Sequence, residues 1–156
     1  VMNDSNQSAL LAALTVSQEP TKYSPVFFYG KTGSGKTHLL QAILKRFKQI
    51  HNKPCLYVTS EEFMNDVMFS IRNRQRETLE QKYRNNSLLI IDDIQYLGGR
   101  EVMHEELLII MKEFQIKNLP IILVADRHPY LLPGLNDILR DSCLGGLMLG
   151  LKKAYK

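Results

Sequence analysis

The chain has 156 residues, 44% hydrophobic and 23% charged, the proportions of one globular domain with a sizeable core and not of a low-complexity chain. No apolar run is long enough to span a bilayer, and the N-terminus lacks the basic-then-apolar layout of a secretion signal, so a cytoplasmic location is expected. The net charge of +4 permits contact with nucleic acid without requiring it, and Cys55 and Cys143 form no CxxC or metal-spaced pair, which fits reduced thiols.

In chain order, residues 8–16 carry Ala9, Leu10, Ala12, Ala13, Leu14 and Val16, a pattern that predicts a short helix with one buried face. Residues 18–25 hold two prolines and read as a linker. Val26, Phe27, Phe28 and Tyr29 follow as an apolar strand. Residues 30–37, Gly-Lys-Thr-Gly-Ser-Gly-Lys-Thr, then fill the P-loop pattern GxxxxGK plus Ser or Thr at every specified position.

A helix is predicted from residue 36 to about 51, with Leu39, Leu40, Ile43, Leu44 and Phe47 as its apolar stripe. A glycine-rich turn ahead of a helix is the plain alternative. It leaves the Lys-Thr pair and the leading strand unexplained, so a nucleoside triphosphate site is predicted. Its phosphates would be lined by Gly30, Lys31, Thr32, Gly33, Ser34, Gly35, Lys36, Thr37 and His38. Lys36 would reach the terminal phosphates, and the Thr37 hydroxyl would ligate Mg²⁺.

Cys55-Leu56-Tyr57-Val58-Thr59 is a second strand, after which Ser60 is a plausible N-cap for a helix. Phe63, Val67 and Ile71 repeat at helical spacing as a core-facing stripe. Met64, Met68 and Phe69 form a second apolar face, buried under the next helix (residues 78–84) or open to a neighbour or ligand. Arg72, Arg74 and Arg76 alternate in what reads as a polar turn, solvated by default and able to meet a phosphate backbone.

Ser87-Leu88-Leu89-Ile90-Ile91-Asp92-Asp93 is the second strong signal. Its continuous hydrophobicity marks a strand buried on both faces, and its two terminal carboxylates stand where open α/β sheets place ligands. This is the Walker B pattern. Asp92 would hold Mg²⁺, mostly through water, and Asp93 would orient the attacking water. Asp is shorter than the Glu more usual at that position, so slow hydrolysis of ATP to ADP and phosphate is expected.

A helix over residues 101–117 buries Met103, Leu107, Ile110, Met111 and Phe114, and Pro120-Ile121-Ile122-Leu123-Val124-Ala125 is another buried strand. Asp126, at its end, can sense the γ-phosphate if that strand lies between the two Walker strands. A short helix near 135–140 and a last strand over 145–151 complete an α/β three-layer sandwich around a parallel sheet.

Several stretches together resemble the AAA+ ATPase domain of the bacterial replication initiator family, DnaA: residues 29–40, Tyr57-Val58-Thr59-Ser60-Glu61-Glu62-Phe63, Tyr83-Arg84-Asn85, LLIIDDIQYL (residues 88–97) and Asp126-Arg127. The Walker A motif alone is shared by many NTPases; YVTSEEF and LLIIDDIQYL are far more specific. The resemblance covers nearly the whole chain and implies a five-stranded P-loop sheet of order 5-1-4-3-2. It makes residues 1–156 the AAA+ base of a longer protein, without the lid and the double-strand DNA-binding domain.

It also implies ATP or ADP and Mg²⁺ as cofactors, a helical insertion over residues 63–84, and ATP-regulated assembly on origin DNA. Asp126 takes the sensor 1 place, Asn6 with Ser5 borders the adenine pocket, and Met68 and Arg100 fall at positions that grip single-stranded DNA. Val102 stands where some members carry a further basic residue. Ser142 occupies the arginine-finger position and Ile138 replaces the arginine before it, while Arg140 lies out of register. Self-association into a filament by the family's usual route is therefore in question. A helicase-loader or transposition-helper ATPase, acting mainly on protein partners such as the replicative helicase, stays open as the alternative.

Overall fold

A computed structural model describes residues 24–31 and 35–151. The helix expected over residues 8–16, most of the linker, and Asn6, Thr32, Gly33 and Ser34 lie outside the described residues.

Among the described residues each predicted apolar run becomes a strand and each amphipathic run a helix. The elements are β1 (Val26–Tyr29), α1 (Lys36–His51), β2 (Cys55–Thr59), α2 (Ser60–Asn73), α3 (Arg76–Arg84), β3 (Leu88–Asp92), α4 (Glu101–Ile116), β4 (Ile121–Ala125), α5 (Asp137–Leu144) and β5 (Leu147–Gly150). Two 3₁₀ turns, Ile94–Leu97 and Pro129–Leu131, follow β3 and β4. The strands form one parallel sheet in the order β2-β3-β4-β1-β5, as expected.

Strand alternation divides the core between the two faces of the sheet. Val26, Phe28, Leu88, Ile90, Ile122 and Val124 point to one face, where Leu39, Leu40, Ile43 and Phe47 of α1 cover them. Phe27, Leu89, Ile91, Ile121 and Leu123 point to the other, against Phe63 and Val67 of α2, Leu79 and Tyr83 of α3, Leu107 and Phe114 of α4, and Leu139 of α5. The apolar runs over residues 26–28 of β1, 88–91 of β3 and 121–125 of β4 are thus continuous for a physical reason: both faces of the sheet are covered there.

Four local readings are corrected. Thr59, not Ser60, caps α2: its side chain accepts from the Glu62 N–H at 3.2 Å, while Ser60 is the first helical residue and is buried. Ile71 is 53% exposed because the buried stripe of α2 runs Phe63, Val67, Ser70, the narrower face left between the sheet and α3. Arg76 opens α3 and is not part of a loose turn; it bonds Glu106 through two nitrogens at 2.8 and 3.1 Å and also pairs with Glu80. The helix expected over 135–140 starts at Asp137 because Asn136 caps it, its side-chain oxygen accepting from the Ile138 and Leu139 N–H groups.

The second apolar face of α2 divides. Met64 packs against the core, whereas Met68 and Phe69 stay exposed.

Candidate functional site

Parallel packing brings the C-terminal ends of β1, β3 and β4 together at one edge of the sheet, and β4 lies between the two Walker strands. That edge is where open α/β sheets place ligands. The chain leaves β1 at Gly30, whose N–H donates to the Ala125 carbonyl at 3.2 Å, and enters α1 through Gly35. Gly35 has φ +90°, a left-handed conformation that a Cβ would strain. No side chain caps α1 and its first turn has no acidic residue, so its amides remain open to an anion.

Lys36, the first residue of α1, donates from Nζ to the same Ala125 carbonyl at 3.3 Å. Its ammonium therefore sits over the end of β4, one residue from Asp126. Thr37 and His38 are exposed in the same first turn, Gly30 is buried and Lys31 is exposed.

Asp92 closes β3 and is buried; Tyr57, from the neighbouring β2, donates its hydroxyl to one carboxylate oxygen. The other oxygen accepts the Asp93 N–H at 2.8 Å. A carboxylate offers about four lone-pair positions, so each oxygen keeps one for a water or a cation. Burial, and next the hydrogen bond to Asp92, push the Tyr57 hydroxyl well above the ordinary tyrosine range, so it stays a donor. Oxygen donors from Asp92 and Thr37 suit a hard cation such as Mg²⁺, which keeps several waters of its own. Among the described residues no group of three or more His, Cys, Asp or Glu is placed to hold a metal ion.

Asp93 lies just beyond the strand, at φ 62° and ψ 43°. This left-handed turn is costly for most L-residues and tolerable for Asp. It sends the chain into the 3₁₀ turn, whose Ile94 and Leu97 are fully buried. Burial, and then the charge of Asp92, raise the Asp93 carboxyl above the ordinary aspartate value, opposed by Gln95 and Lys36. Asp126 is held below it by the Arg127 guanidinium, which binds both its oxygens at 2.8 and 2.9 Å. Its side chain is therefore engaged beside the site.

Three participants were not read from the sequence: Tyr57, Gln95 and Arg127. Tyr57 and Gln95 stand inside the distinctive YVTSEEF and LLIIDDIQYL stretches, which was the available signal. Their contacts cross between elements, and no residue spacing encodes that.

The positions considered for DNA are carried by other elements. Met68 is 39% exposed on α2, and Arg100 is exposed immediately before α4. The loop carrying Arg100 is fixed from behind. Gly99 donates to the Gly134 carbonyl at 2.9 Å, and a Cβ on Gly98 would come within 2.4 Å of the Pro133 carbonyl. Ser142 is half-buried on α5. Arg140 is tied to its own chain: Nε donates to the Pro129 carbonyl at 3.0 Å, Nη2 to the Leu132 carbonyl at 2.9 Å, and Nη1 to Asp137 at 3.1 Å.

Among known proteins, the family described as the bacterial DnaA ATPase domain matches residues 1–150. The Campylobacter curvus protein called chromosomal replication initiator protein DnaA is 42% identical over 149 residues, which are 95% of this chain and 34% of that protein. This chain thus spans about a third of that relative's length. The crystal structure of domain III of the Thermotoga maritima replication initiation protein DnaA superposes with a TM-score of 0.92 at 35% identity, covering 97% of this chain and 64% of that one. A replication initiator DnaA bound to AMPPCP and single-stranded DNA superposes with a TM-score of 0.90 at 28% identity, covering 97% and 47%. Sequence match, sheet order and the pairing of a P-loop with a Walker B strand agree, and this chain belongs to the bacterial DnaA ATPase-domain family.

Proposed function

We propose that this chain is the ATP-binding AAA+ base of a DnaA-type replication initiator, a cytoplasmic protein in which bound nucleotide governs assembly on origin DNA. The observation that carries the reading is the convergence of Lys36, Asp92, Asp93 and Asp126 at one sheet edge, over a helix N-terminus without a cap. Residues 30–38 cradle the phosphates, and Lys36 exchanges its contact with the Ala125 carbonyl for phosphate oxygen. Asn6 borders the base. Thr37 and Asp92 hold Mg²⁺, which supplies neutralisation of phosphate charge.

Asp93 orients the attacking water and Asp126 reports on the γ-phosphate, giving slow hydrolysis to ADP and phosphate. Met68 and Arg100, at the positions the family resemblance implies, contact single-stranded DNA, the kind of ligand bound in one DnaA relative. Among the described residues no helix is long and apolar enough to cross a membrane.

One observation favours a second reading. With Ser142 at the finger position and Arg140 locked onto its own chain, α5 offers no arginine to a neighbour's nucleotide. In that case the chain acts mainly through a protein partner, in the manner of a helicase-loader or transposition-helper ATPase.

The test is titration of ATP and ADP into the chain and into Lys36→Ala. Affinity should fall by on the order of 100-fold in the variant, the weight of a charge-assisted phosphate contact. Equal affinities would overturn the nucleotide reading. ATP-dependent capture of single-stranded DNA by the longer parent protein separates initiator from helper.

A further inference from the structure

Gln95 has entered the site so far only as a neighbour of Asp93, yet its side chain spans it. Nε2 donates to Asp93 Oδ1 at 3.4 Å, and Oε1 accepts the Asp126 N–H at 3.2 Å. One amide thus links the carboxylate beyond β3 to the first main-chain donor beyond β4. Only one orientation of the amide satisfies both contacts. The reverse would set oxygen against carboxylate and NH₂ against N–H, two repulsions in place of two bonds.

The base of this strut is rigid. Gln95 sits between Ile94 and Leu97, both at 0% exposure, in a turn closed by the Tyr96 N–H donating to the Asp93 carbonyl at 3.2 Å. Its far end does not depend on the Asp126 carboxylate, which Arg127 occupies through both oxygens. The contact reads the position of β4 through the main chain. Asp93, by contrast, hangs from a left-handed residue outside the strand, beside the charges of Asp92, Asp126 and Lys36. Without a partner its carboxylate could turn toward the Lys36 ammonium, away from an incoming water.

We propose that Gln95 is a positioning residue that holds one oxygen of Asp93 and leaves the other for the attacking water, with the geometry referenced to the end of β4. The inference rests on the ATPase reading given above and names the group that makes its base competent. A hydrogen bond that fixes a carboxylate matters to the step that uses it and not to binding of the phosphates, so the effect falls on turnover alone.

The experiment compares the chain with Gln95→Met, which keeps length and shape but neither hydrogen bond, and with Gln95→Glu, which keeps an acceptor for the Asp126 N–H and sets a charge against Asp93. ATP affinity is measured by titration, hydrolysis in single turnover, and folding by thermal melting. The expected result is ATP affinity within about 2-fold in both variants, with hydrolysis down about 5–10-fold in Gln95→Met and further in Gln95→Glu. Wild-type turnover in Gln95→Met would overturn the inference and make Gln95 a packing residue. Loss of ATP affinity in step with turnover would also overturn it. If the wild-type chain binds ATP without turning it over, a placed Asp93 does no work and the inference fails while the binding reading stands. If the wild-type chain does not bind ATP, both fail.

Discussion

Replacing Arg140 by alanine separates an internal clamp from a finger presented to a neighbour. Its guanidinium makes two bonds to main-chain carbonyls, Pro129 at 3.0 Å and Leu132 at 2.9 Å, and a third to Asp137, whose side chain is 93% exposed. The Asp137 pair contributes almost nothing in water. A hydrogen bond from a charged donor contributes about 1.5–3 kcal/mol, and the Arg140 side chain is only 21% exposed, so both carbonyl bonds count, at the low end of that range. Arg140→Ala should therefore cost about 3 kcal/mol. For a domain of this size that lowers Tm by roughly 6–12 °C, read by calorimetry or circular dichroism. Arg140→Lys keeps the charge but loses the planar fork and should recover about half of the loss. A Tm within about 1 °C of wild type for Arg140→Ala would refute the reasoning, because a side chain free to leave its own carbonyls is one that could reach another subunit.

Three further outcomes follow from packing and charge. Gly146→Ala places a Cβ 1.8 Å from the Pro25 carbonyl oxygen, backbone against backbone, beside the Leu147 N–H that bonds the same oxygen at 3.0 Å; it should destabilise by about 3 kcal/mol or more, seen as a lower denaturant midpoint at unchanged slope. Phe63→Ala empties a fully buried site that also holds the edge-on contact with Tyr83 at 5.7 Å between centroids, so unfolding free energy should drop by about 3–5 kcal/mol in a denaturant titration. The Arg84 fork, at 2.7 and 2.9 Å, holds the Glu113 carboxyl below its ordinary value of 4.5. This contribution is fully present above pH 4.5 and is lost as pH falls through the lowered folded value, so the Tm gap between wild type and Glu113→Gln should be constant near neutrality and close in acid.

The elements and the nucleotide motif were legible because they depend on near neighbours. Hydrophobic alternation and helical spacing are local, and in this chain they located the described strands and helices to within a few residues. The P-loop motif was legible for the same reason: its glycines, Lys36 and Thr37 fall within eight consecutive residues. Where the reading failed, a distant contact decided. Ile71 has the right spacing to be buried, but α3 covers only the face carrying Phe63, Val67 and Ser70. Arg76 looks solvated until Glu106 of α4 comes alongside.

The candidate site divides in the same way. By itself the sequence determined that a P-loop motif follows one buried strand and that paired carboxylates stand at the end of another, since residue type and local pattern carry that information. Only the tertiary structure decided how they meet: Lys36 over the end of β4, Tyr57 on Asp92, Arg127 on Asp126, Gln95 bridging Asp93 to the next strand, and Arg140 closed on its own loop. Apart from the Arg127–Asp126 pair of neighbours, those contacts join residues of different elements, some of them dozens of positions apart. Their geometry follows from strand order and register, which emerge when the whole sheet packs and which no single stretch of chain contains.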